Sequence, residues 1–167
     1  FHHLPRPYST VLLGGATNRY KMPVEAMEDL IQQILLIREK TQGSVLVTPS
    51  FRTPFRNRLI QALVQEERIF LADIEHQNPY LGMLGLADYL FVTDDSVNMV
   101  CEACVTGKPV YILPLLKHGK TKPKQFIRGL VYQGHVRLFQ GEVETWTYEP
   151  FNDTETIAAV VKEKLGL

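Results

Sequence analysis

The chain is poor in several features that mark functional classes. Its 167 residues include two cysteines and one tryptophan, and 18 Lys plus Arg balance 18 Asp plus Glu. With no net charge and a pI near 7.1, no global field draws nucleic acid or an anionic membrane, so any anion site must be local. No apolar run approaches the roughly 20 residues that span a bilayer. Phe1-His2-His3-Leu4-Pro5-Arg6-Pro7 has neither the charged nor the apolar region of a secretory signal. These absences lead to an expectation of a cytoplasmic protein with no transmembrane segment and no nucleic-acid partner. The G-x-G-x-x-G dinucleotide fingerprint and the P-loop are both missing, and no Ser-His-Asp set stands out. The chain also starts without Met, so residues 1–8 are expected to be a linker from a missing N-terminal domain. At 45% hydrophobic and 22% charged, the remainder fits one globular domain, 9–167.

The two cysteines, Cys101 and Cys104, form a C-x-x-C. That spacing serves redox and metal sites. Here it lies beyond the first turn of a helical pattern, where the helix dipole lowers a thiol pKa least. Spacing i, i+3 puts both thiols on one face beside Val97 and Val100. Zinc would need about two further ligands, and His76, His118 and His135 are scattered. Apolar packing with no metal is the expectation.

What the chain has is alternation. Residues 89–113, YLFVTDDSVNMVCEACVTGKPVYIL, have the pattern of strand, polar turn, helix, glycine stop and strand. Further strands are predicted at 9–13, 44–48, 68–72 and 135–139. Helices are predicted from Pro23 to about Lys40, from Thr53 as N-cap with Pro54 at the first position, from Asn78-Pro79 to Ala87-Asp88, around 126–131, and from Asp153 or Thr154. Residues 117–124 form a basic run, either a solvated loop or a flap bringing Lys to a phosphate. Six β-α repeats imply a three-layer α/β/α Rossmann-like domain with a six-stranded parallel sheet. In the order 3-2-1-4-5-6, strands one and four are neighbours at the switch point, where such sheets bind ligands. Gly14-Gly15, followed by Ala16-Thr17-Asn18, then meets Asp94-Asp95-Ser96. The glycines serve either a tight turn or the presentation of N–H groups to a ligand. The first N–H groups of the helix after strand four would face the same crevice. Arg52, Arg56 and Arg58 either reach a phosphate or form a solvated face. Glu102 either faces solvent or leans toward the crevice to accept sugar hydroxyls.

Glu102-Ala103 followed by Gly107-Lys108-Pro109 resembles the E-A-x-x-x-G-x-P element in the C-terminal domain of GT-B glycosyltransferases. More narrowly, several segments resemble one family. They are L-L-G-G at 12–15, R-T-P at 52–54, N-P-Y at 78–80, A-D at 87–88, V-T-D-D-S-V-N-M-V-C-E-A-C-V-T-G-K-P-V-Y at 92–111, R-L-F-Q-G at 137–141 and Y-E-P-F-N-D-T at 148–154. The family is the mitochondrial fission proteins of plants and their bacterial relatives, often labelled predicted nucleoside-diphosphate-sugar epimerases. The resemblance implies a GT-B-like protein of two Rossmann-like domains, with this chain as the C-terminal one.

It further implies a nucleoside-diphosphate sugar as ligand and no other cofactor. The backbone of Gly14, Gly15, Ser96 and Val97 would hold the diphosphate, with Thr17, Asn18, Arg52 and Asp95 around it. Glu102 would hold the ribose and Tyr80 would offer a face to the base. Acceptor and catalytic base would come from the N-terminal domain, leaving this part inactive alone. Two alternatives stay open: a non-catalytic adaptor in organelle or cell division, and a GT-B-fold epimerase. The short-chain epimerase signatures G-x-x-G-x-x-G and Tyr-x-x-x-Lys are absent. Asp94 and Asn98 depart from the family pattern, and an extra carboxylate at a phosphate corner weakens donor binding unless Asp94 turns away or binds a cation.

Overall fold

A computed structural model of the chain describes residues 1–16, 22–76, 78–115 and 122–150. Six strands and five helices alternate: β1 (Tyr8–Leu13), α1 (Val24–Thr41), β2 (Ser44–Pro49), α2 (Arg56–Leu63), β3 (Ile69–Leu71), α3 (Tyr80–Leu86), β4 (Tyr89–Thr93), α4 (Val97–Val105), β5 (Val110–Leu113), α5 (Lys122–Tyr132) and β6 (Val136–Leu138). The strands form one parallel sheet in the order β3-β2-β1-β4-β5-β6, as expected. Central strands of such a sheet are covered on both faces and therefore have near-continuous apolar sequences. Val11, Leu13, Phe91 and Tyr111 pack beneath α1 and α2, while Leu12, Leu90, Val92 and Ile112 pack beneath α3, α4 and α5. In α1, Met27, Leu30, Ile34 and Ile37 are all fully buried. Each such side chain contributes roughly 1.5–3 kcal/mol by leaving water.

Two helix starts differ from the sequence pattern. Helix α2 begins at Arg56, after Phe55 in the left-handed region at φ 54°. Thr53 does not cap it. The Thr53 hydroxyl accepts the N–H of Ser50 at 2.9 Å and donates to the carbonyl of Gly14 at 2.5 Å. A long-range contact has taken the side chain that local capping would use. Helix α5 starts at Lys122, so the end of the basic run is helical and not loop. Residues 117–121 and the helix expected from 153 lie outside the described residues.

The opening segment is fastened to the domain. Tyr8 donates its hydroxyl to the carbonyl of Phe1 at 2.9 Å, Arg6 pairs with Asp88 at 2.7 Å, and Phe1 meets Phe70 edge-on at 4.9 Å. Residues 139–150 form a strap without regular structure. The Tyr111 hydroxyl donates to the Glu144 carbonyl at 3.1 Å and accepts the N–H of Glu144 at 2.6 Å. Tyr148 donates to the Lys108 carbonyl at 2.7 Å. Val143 and Trp146 join the α1 face of the core, whereas Tyr148 joins the α4 face. The strap thus passes round the amino ends of β4 and β5, leaving the carboxyl ends of the strands to the candidate site.

Candidate functional site

Parallel pairing sets Leu12 beside Val92, so the loops leaving β1 and β4 emerge together. Gly14 donates its N–H to the Thr93 hydroxyl at 2.8 Å, and Gly15 donates its N–H to Asp95 Oδ2 at 2.7 Å. The two remote loops expected to meet are joined by hydrogen bonds. A Cβ on Gly14 would lie 2.6 Å from Asp95 Cγ and nearer still to both carboxylate oxygens. Glycine is therefore required by closeness, since neither residue takes a left-handed backbone.

One part of the expectation changes. The Gly14 and Gly15 N–H groups, expected to face a diphosphate, are already bonded within the protein. Ala16 likewise donates to the Arg52 carbonyl at 3.1 Å. At Gly15 the cause is Asp95, whose carboxylate reaches across the corner into the glycine loop; at Gly14 it is the Thr93 hydroxyl. Ser96 occupies the N-cap position of α4 with no side-chain cap hydrogen bond. The first-turn N–H groups of that helix, beginning with half-buried Val97, thus keep the dipole-backed position suited to an anion.

Glu102 is exposed, about 7.5 Å along the axis of α4 from Val97. Tyr80, at the start of α3, donates its hydroxyl to the Glu102 carboxylate. Burial raises the Tyr80 phenol above its ordinary value, and the Glu102 hydrogen bond and charge add to the rise, so the phenol stays protonated as a donor. The structure therefore brings together the two residues expected near the ribose and the base. Pairing between residues 22 positions apart in different helices had no signal in the sequence.

Asp94 does not point into the glycine loop. Its Oδ1 accepts the N–H of Leu115 at 3.1 Å, and its Oδ2 lies 3.6 Å from Lys124 Nζ. The odd carboxylate at this corner is met by a cation of α5, the end of the basic run. Burial raises the Asp94 pKa, against the Leu115 N–H and Lys124, which lower it.

Arg52 has an exposed side chain and no ion-pair partner among the described residues. Arg56 pairs with Glu75 at 3.3 Å and Arg58 with Glu28 at 2.9 Å, as on a solvated face. Thr17 and Asn18 lie outside the described residues. Cys104 is fully buried in the α4 core and Cys101 is partly buried. A cavity of about 550 Å³ opens elsewhere, between α2 and the edge strand β3, and of the residues considered for the site only Arg56 lines it. Among the described residues no helix is long and apolar enough to cross a membrane.

Comparison with known proteins places the chain. The family Mitochondrial fission ELM1 matches residues 1–165. This chain belongs to that family. Mitochondrial fission protein ELM1 of Arabidopsis thaliana is 34% identical over 171 residues, covering 99% of this chain and 40% of the relative. An uncharacterized protein of Rickettsia prowazekii (strain Madrid E) is 37% identical over 178 residues, covering all of this chain and 49% of that protein. The chain thus spans about half the length of the curated relatives it matches. Among solved structures, Os79 from O. sativa in complex with UDP and deoxynivalenol-3-glucoside is similar at 18% identity and a TM-score of 0.48, over 95% of this chain and 33% of that one.

Proposed function

We propose that this member of the Mitochondrial fission ELM1 family is the nucleotide-sugar-binding domain of a GT-B-like protein, serving glycosyl transfer from a nucleoside-diphosphate sugar. The observation that carries the reading is that α4 carries both an uncapped N-terminus and Glu102, which Tyr80 of α3 meets through its hydroxyl. The diphosphate would sit on the N–H groups of Ser96, the N-cap, and Val97, with exposed Arg52 on the loop that holds Ala16 as a cation for it. Glu102 would accept the ribose hydroxyls, exchanging its bond to Tyr80 for them, and the Tyr80 ring would meet the base. Transfer would rest on positioning and on stabilising the departing diphosphate. Acceptor and catalytic base would be supplied by the remainder of the full-length protein.

The test is calorimetry and thermal shift of the full-length protein with UDP, GDP, ADP and dTDP sugars. A ligand at 100 times its Kd stabilises by about 2.7 kcal/mol. Glu102→Gln should abolish the shift, and Cys104→Ala should leave it in place. Absence of any shift sinks the reading.

One observation favours a second reading, a non-catalytic adaptor on the same scaffold. The glycine-loop N–H groups are satisfied inside the protein, which suits a loop kept for structure. Flat nucleotide titrations, with association to division machinery unaffected by Glu102→Gln, would establish it.

A further inference from the structure

We infer that Asp95 is a tethered substitute for the ligand's phosphate, a plug in the glycine loop that an incoming anion must displace. The inference deepens the proposed function, resting on its anion corner and not on the nucleotide. Four observations carry it. The carboxylate lies against the Cα of Gly14 and takes the N–H of Gly15 at 2.7 Å, where a phosphate oxygen would bind a glycine loop. The flanking donors, Gly14 and Ala16, are held by Thr93 and by the Arg52 carbonyl, so the loop keeps its shape and Gly15 is its one N–H facing an anion. Asp95 sits immediately before the N-cap of α4 yet no side chain caps that helix: the carboxylate reaches β1 instead. Its Oδ1 is buried without a hydrogen-bond partner among the described residues. A carboxylate satisfied on one oxygen alone is held less firmly than one satisfied on both.

Asp94 does not share this role, because the Leu115 N–H and Lys124 engage its oxygens. A phosphate arriving with Asp95 in place meets a fixed negative charge and an occupied donor. With the plug removed it gains a vacant Gly15 N–H beside the α4 N-terminus. Trading one charge-assisted hydrogen bond and relieving one like-charge contact is of the size that shifts binding roughly tenfold or more.

The experiment titrates inorganic pyrophosphate, and separately UDP, into full-length wild-type protein, Asp95→Ala and Asp95→Asn, after circular dichroism has verified folding. Asp95→Ala should bind pyrophosphate at least tenfold tighter than wild type. Asp95→Asn, which keeps an oxygen for Gly15 but drops the charge, should fall between them. In wild type, the Gly15 amide resonance should move on saturation with pyrophosphate, a readout that survives even if Asp95→Ala fails to fold. Equal or weaker binding by Asp95→Ala, or a Gly15 resonance that stays put in a saturated wild type, overturns the plug. Tight pyrophosphate binding by Asp95→Ala, when wild type ignores every nucleotide, supports the plug while removing the nucleotide-sugar reading. Wild type and Asp95→Ala binding UDP equally well does the reverse.

Discussion

Replacing Gly15 by Ala is the most severe single test of how the corner is packed. A Cβ there would lie 2.5 Å from the Thr53 nitrogen and closer still to the Arg52 carbonyl. Both are main-chain atoms and both are pinned: Ala16 donates to the Arg52 carbonyl at 3.1 Å, and Thr53 donates its N–H to Ser50 at 3.0 Å. Nothing in contact can rotate away, so the β1 and β2 loops must separate. Overpacking costs about 1–3 kcal/mol, and two lost hydrogen bonds add about 1 kcal/mol each. For a domain of this size each kcal/mol moves Tm by about 2–4 °C, so Gly15→Ala should melt roughly 10 °C below wild type. Gly14→Ala differs in kind, because its Cβ meets the Asp95 carboxylate, a side chain able to swing out. It should cost about 1.5–3 kcal/mol, one charge-assisted hydrogen bond, less what the freed carboxylate regains in water. Thermal unfolding followed by far-ultraviolet circular dichroism, with urea midpoints as a second measure, compares the pair. Finding Gly15→Ala as stable as wild type, or more stable than Gly14→Ala, would refute the packing described.

Other positions give independent checks. Thr93→Val keeps the shape of a fully buried side chain but strips the acceptor from the Gly14 N–H. It should lower stability by about 1–3 kcal/mol in urea titration, and Thr93→Ser should recover most of it. Burial, with Cys101 nearby, pushes the Cys104 thiol up to about 12, against a smaller lowering by Tyr148. Cys104 should therefore resist alkylation at about pH 8 in the native protein and react once unfolded, as mass spectrometry of the modified chain would show. Asp94 is an acid whose folded pKa is raised from 3.8, so the folded state holds its proton to higher pH than the unfolded one. Its burial penalty is absent below the unfolded pKa and grows as pH climbs through the folded value. The Tm of Asp94→Asn relative to wild type should rise as pH increases from 3.8 upward; a difference that falls with pH would contradict the sign.

The layered fold was legible because each central strand is a short β-forming run between helical periods, and the glycine at 107 and the turn at 94–96 mark boundaries by local chemistry. What was not legible depends on partners far along the chain. Thr53-Pro54 has the sequence of a helix start, but the Thr53 hydroxyl is worth more to the β1 loop, where it holds a buried carbonyl. Lys122 joins α5 ahead of Pro123, within a run whose charges mask a helix start. The strap at 139–150 has neither period, since it is held by hydroxyls: Tyr111 engages the Glu144 backbone, and the strap's own Tyr148 donates to the Lys108 carbonyl. At the corner, strand order was enough to bring Gly15 and Asp95 together. It could not show that a carboxylate would settle among the donors, nor that Tyr80 would clasp Glu102.

The strap carries the molecule's single tryptophan, and that fixes what an optical experiment can see. Trp146 stands edge-on to Tyr111 at 5.1 Å beneath the guanidinium of Arg137 at 4.3 Å, on the strap and away from the loops that leave β1 and β4. Its emission should change when the strap peels off on denaturation and hold constant when the opposite rim fills. A quiet fluorescence trace during nucleotide addition then says nothing for or against binding at that rim, and calorimetry or amide resonances are the instruments matched to it.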